Sequence, residues 1–107
     1  MRTKTTIPEK LLIVCESLGW TVTEYDDGSA DLSQYSPAGE DFSFCVETKH
    51  FVEEIQAYYN GFDPEEHAAM WYGGPGAPDL RTLLEDAEAI DSMLEELAIA
   101  VTQADDE

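Results

Sequence analysis

Apolar positions recur along this chain with two different periods, and the switches between them mark out its elements. In TIPEKLLIVCESLG, Leu11, Leu12, Cys15 and Leu18 fall at spacings of one, three and three, which gathers them on one stripe of a helix. Thr6 and Glu9 stand in capping-box spacing, Pro8 falls in the first turn and Gly19 supplies the stop. From Trp20 the period drops to two through WTVTEY and ADLSQYS, which predicts a β-hairpin turning at Asp27-Gly28, where positive φ is needed. Ser36-Pro37 with Gly39 marks the next reversal, and DFSFCVE gives a third strand. Phe42, Phe44 and Val46 share one of its faces, Ser43 and Cys45 the other.

The helical period then returns. Phe51, Ile55, Tyr58 and Phe62 are four, three and four apart and predict a helix lying on the sheet, closed by Gly61. FDPEEHAAMWYGG offers Asp63 as a cap, Pro64 at the first helical position, Glu66 in capping-box register and Gly73 as terminator, for a helix of one to three turns. After the break at GGPGAP, Leu80, Leu83, Ala87, Ile90, Leu94, Leu97 and Val101 alternate spacings of three and four, an apolar seam over three heptads. The expected architecture is an α+β fold in a single domain, residues 1–107. An N-terminal helix leads into a three-stranded antiparallel meander, then three helices, of which the last is longest and most acidic. A flexible acidic tail is expected from about residue 103.

Composition agrees with a folded chain: 43% hydrophobic and 10% aromatic residues are too many for a disordered acidic segment. Charge changes the picture. The formal net charge is −19, and it is lopsided: residues 1–49 hold four basic and nine acidic groups, residues 50–107 one and fifteen. A surface of this sign is repelled by bare nucleic acid and by anionic lipid, both of which are bound through Lys and Arg. A basic protein is the partner it suits. No apolar run approaches the roughly 20 residues needed to span a bilayer, and the first twenty residues lack a signal peptide's apolar core, so a cytoplasmic protein is expected. Cys15 and Cys45 both have apolar neighbours and read as reduced, buried thiols.

Motifs for chemistry are few. His50 and His67 have no second His or Cys at a helical ligand spacing, so zinc is not expected. The carboxylates of DPEEH are accounted for by a helix N-terminus rather than by a metal, and DDGSAD by a turn rather than a calcium loop. No nucleophile-elbow, phosphate-loop or dinucleotide motif is present; neither an enzyme nor a cofactor is expected. The candidate surface is the last helix. An ordinary exposed helix gains a few tenths of a kcal/mol from each Glu–Lys pair at i, i+4, whereas this one sets acid beside acid. Among Glu85, Glu88, Asp91, Glu95 and Glu96, carboxylates three and four residues apart stand roughly 5–6 Å from one another along the helix, comparable to phosphate spacing on a nucleic-acid strand. Trp71, Tyr72 and Ile99, the last opposite the apolar seam, are the candidate apolar anchors.

SPAGEDFSF, FDPEEHAAMW and APDLRTLLEDAEAIDSMLEELA resemble a group of short acidic proteins encoded in bacterial genomes, often near prophage or other mobile-element genes. The likeness covers roughly residues 36–103, with FDPEEHAAMW its most specific part. It implies a setting, in which small acidic proteins often inhibit host nucleic-acid enzymes, and no catalytic or binding residue. Two expectations follow: a protein that binds a basic partner such as a nucleic-acid enzyme, with its acids in the place of phosphates, or a homodimer joined through the seam of the last helix. Like charges flanking the seam oppose the second.

Overall fold

The computed structural model describes residues 7–73, 76 and 79–106. Pro8, with φ fixed by its ring and no N–H of its own to satisfy, stands at the N-cap of α1 (Glu9–Ser17), where its carbonyl accepts from Leu11 and Leu12 N–H at 3.0 and 3.2 Å. Thr6, the expected capping residue, lies outside the described residues. Leu11 and Cys15 are fully buried on this helix, Leu12 and Leu18 partly. The chain leaves α1 through a Schellman motif: Gly19 adopts φ of 93° while its N–H reaches Glu16 O and Trp20 N–H reaches Cys15 O, each at 3.0 Å.

A meander follows, with β1 (Thr21–Glu24), β2 (Ser29–Tyr35) and β3 (Asp41–Glu47) antiparallel in the order β1-β2-β3. Its two reversals share one design. Tyr25 N–H bonds Ser29 O and Ser36 N–H bonds Glu40 O, both at 2.8 Å, so each loop has three residues and ends on a left-handed glycine, Gly28 (φ 87°) or Gly39 (φ 95°). Of the Asp27-Gly28 pair, positive φ is therefore needed at Gly28 alone. Asp27 instead uses its carboxylate, accepting from Ser29 N–H and Oγ at 3.1 and 2.6 Å. The register sets Leu32 beside Phe44 and Ala30 beside Val46 on the inner face. Period-two alternation puts Cys45 on the outer face, where its thiol is exposed, against the expectation that both cysteines are buried. Cys15 is buried, and burial, then the neighbouring Glu16 charge, pushes its thiol up to about 12.

A 3₁₀ turn at Thr48–His50 ties the first loop down, because Thr48 N–H and Oγ1 both donate to Gly28 O, at 2.9 and 3.1 Å. Then come α2 (Phe51–Gly61), α3 (Pro64–Trp71) and α4 (Leu80–Asp105). Asp63 caps α3 by accepting from Glu65 N–H at 3.0 Å, and Asp79 caps α4 by accepting from Thr82 N–H at 2.9 Å. Helix α2 covers β3 through aromatic contact: Tyr58 stacks on Phe44 with centroids 4.4 Å apart, and Phe62 meets Phe42 edge-on at 5.9 Å.

Helix α4 packs against α1, α2 and α3. Its seam is fully buried at Ala87, Ile90, Leu94, Leu97 and Val101, whereas Leu80 at its start is 46% exposed. The chain's own helices thus occupy the seam, and from Ala87 onward it offers no face to a second copy. The tail expected from residue 103 is helical through Asp105, because Ala104 is itself buried and holds the last turn in place. No helix among the described residues is long and apolar enough to cross a membrane.

Candidate partner-binding surface

The carboxylates of α4 do not form one uniform face. Asp86 points at the β2–β3 loop and accepts from Ser36 Oγ at 2.6 Å and from Ala38 N–H at 2.9 Å. Ser36 is buried, and its hydroxyl in turn accepts from Glu40 N–H at 2.9 Å. Asp79 belongs to the cap, and bonds from the Thr82 backbone and side chain hold its carboxyl below the usual range. Glu85 faces Arg81 at 3.6 Å across one helical turn, both well exposed, an arrangement worth a few tenths of a kcal/mol at most.

Beyond these, Glu88, Asp91, Glu95 and Ile99 follow spacings of three, four and four, so they lie along one side of the helix. That side faces α2. Tyr59 O–H donates to Glu95 at 3.3 Å, and Gln56 Nε2 donates to Thr102 Oγ1 at 2.6 Å, whose own proton goes to Ala98 O at 2.7 Å. Burial, then the charge on Glu95, pushes the Asp91 carboxyl above its ordinary range. The Tyr59 hydroxyl is also pushed up, by desolvation first and then by Glu95 and Asp91. Between the two helices runs an open groove of about 450 Å³ lined by Gln56, Tyr59, Asn60, Ala98, Ile99, Thr102 and Gln103. Ile99 stands in it 52% exposed.

Comparison with family models, curated proteins and solved structures finds no match to this chain. The site is therefore read from its own geometry. Among the acids proposed from sequence, Glu88, Asp91 and Glu95 come together with Ile99; Glu85 is turned to Arg81, and Glu96 is exposed beside the stripe. Tyr72 is exposed at the C-terminal end of α3 and does not line the groove. The Trp71 side chain lies outside the described residues. Tyr59, which the sequence offers only as one of several aromatics with a core role the simpler reading, forms the aromatic wall. Its signal was available, since Tyr59 follows Tyr58 and so turns off the stripe that faces the sheet.

The DPEEH segment resolves into separate jobs. Asp63 caps α3, and His67 Nε2 meets Glu40 at 2.9 Å, with its ring 5.3 Å from Phe62 and 5.8 Å from Phe42. Among the described residues, no three His, Cys, Asp or Glu side chains are grouped to hold a metal ion. A recess of about 310 Å³ opens between α2 and α3 beside His67, with Tyr58, Phe62 and Met70 among its walls. What the α2–α4 side can supply is charge attraction from several carboxylates at once and an apolar contact at Ile99, with the two adjoining.

Proposed function

We propose that this protein is a cytoplasmic interaction module whose acidic α4 side engages a basic protein. The partner's surface would be one that ordinarily meets nucleic acid, so the carboxylates stand where phosphates would. The observation that carries this reading is the run Glu88–Asp91–Glu95 ending on an exposed Ile99 beside Tyr59. The stripe thus sets an exposed aliphatic and an aromatic wall directly beside its carboxylates. Recognition commonly pairs charges, which speed and orient encounter, with a desolvated apolar contact, which slows departure. Inhibition of a nucleic-acid enzyme, in the mobile-element setting that the resemblance implies, is the most specific form of this reading. It includes no catalytic residue and no cofactor.

The test is capture by the immobilised protein from a bacterial lysate at low ionic strength, followed by a salt gradient and mass spectrometry. One or two nucleic-acid proteins are expected to elute at high salt and to be lost with Glu88→Lys plus Glu95→Lys. A diffuse set of basic proteins eluting early, and unaffected by that variant, would count against it. Homodimerisation through the seam draws no support from a seam that the chain already buries.

A further inference from the structure

We propose that the groove between α2 and α4 seats a basic amphipathic helix of the partner, with one of its apolar side chains between Tyr59 and Ile99 and its Lys or Arg side chains on Asp91 and Glu95. This deepens the reading above and rests on it. The choice of a helix comes from what lines the groove. An added strand needs a row of unpaired backbone groups, but here the walls are side chains of two helices whose backbones are already bonded within each helix, and Gln56, Tyr59 and Thr102 among them have partners. Gln56 donates to Thr102, Thr102 to Ala98 O, and Tyr59 to Glu95. An occupant must bring its own backbone hydrogen bonds satisfied, and a helix does so.

Spacing and charge narrow the occupant further. Asp91 and Glu95 are one turn apart, roughly 6 Å along the axis, which is also the rise between basic side chains at i and i+4 on a facing helix. The next position on that line, Ile99, is apolar, so the partner needs its apolar residue one turn beyond its two basic ones. Asp91 and Glu95 stand one turn apart with like charge, and an incoming cation would offset their repulsion. A second copy of this chain, at −19, is the wrong sign to fill the groove, and so is an anionic lipid surface.

The experiment uses the full chain, labelled for amide NMR, and two synthetic peptides of roughly 15–20 residues, long enough to hold a helix. One carries Lys at i and i+4 and Leu at i+8 on an Ala-rich background; the other has the same charges and a central proline, which breaks the helix. Each is titrated at low and at moderate salt. The helical peptide is expected to bind at least about tenfold more tightly and to shift the amides of Tyr59 and of Ala98 to Gln103. Ile99→Ser should weaken it by about tenfold or more, the loss typical of an apolar anchor. That variant alters an exposed side chain, and an unchanged melting curve would show that it remains folded. Equal binding of both peptides, indifferent to Ile99→Ser, would overturn the groove as the seat and leave the acidic-side reading standing. If neither peptide binds while the lysate partner is still captured through Glu88 and Glu95, the groove proposal falls alone. If both experiments fail, both readings fall.

Discussion

Along α4, the side facing the β2–β3 loop and the side facing α2 carry the same functional group and use it differently. On the first side, Asp86 meets two donors, Ser36 Oγ and Ala38 N–H, at 2.6 and 2.9 Å, and joins the sheet to the helix layer. On the second, burial and then the charge on Glu95 push the Asp91 carboxyl upward, whereas Asp86 meets donors. The difference shows that net charge alone says little about function. A carboxylate matched to donors within the chain is part of the fold; one set beside another carboxylate carries a cost that a cation on a partner can offset.

The sharpest way to break this comparison is Asp86→Ala. It removes both bonds to a charged acceptor and strands a buried serine hydroxyl, so urea denaturation should register a loss of about 2–4 kcal/mol. Capture through the α2 side should persist in whatever remains folded. An unaltered midpoint would mean that Asp86 is as dispensable as its neighbours.

Acidification should separate the two kinds of carboxylate next. With its folded pKa raised above 3.8, Asp91 destabilises the fold above that raised value, and the cost is relieved as pH falls through it. Asp27 and Asp79 have folded values lowered below 3.8, so the stability they add is present above 3.8 and is lost as pH falls through the lowered values. Melting temperature should therefore rise on mild acidification from neutral pH and fall again in stronger acid. Asp91→Asn should raise stability at neutral pH and flatten the first limb, leaving the second.

How much of this was legible in the sequence follows from reach along the chain. The helix stripes, the strand faces and the left-handed glycine of each hairpin loop depend on neighbours a few residues away, and they read correctly. The meander and the order of the helices followed from them. The Asp86 bonds span about fifty residues, Gln56 to Thr102 forty-six and His67 to Glu40 twenty-seven. No local period encodes such contacts, so Asp86 looked like one more acid on a charged helix. Cys45 was misjudged for a different reason: its apolar neighbours in the chain point to the opposite face of the strand. For the candidate surface, the acids and Ile99 were visible from spacing, while the groove came into being only when α2 was laid beside them.

Smaller effects sharpen the comparison further. Glu88→Lys plus Glu95→Lys should leave stability within about 1 kcal/mol of the parent, since these side chains are exposed and like-charge neighbours cost only tenths each. A large loss on denaturation would move them into the structural class with Asp86. The smallest effect expected is none. An aromatic disulfide reagent should titrate Cys45 in the native protein and Cys15 only after unfolding, and alkylated Cys45, on the sheet face away from the helices, should retain both melting curve and partner.

Because α4 packs on all three other helices, the order in which a ribosome delivers the chain has a consequence. When residues 7–73 have emerged, α1, α2 and α3 still lack the helix that covers their inner sides, and Leu11, Ile55 and Ala68 have no roof. Leu94, Leu97 and Val101 complete it together. Completion of the apolar core during synthesis therefore waits on α4, and until then the negative charge already made works against association of the open apolar sides.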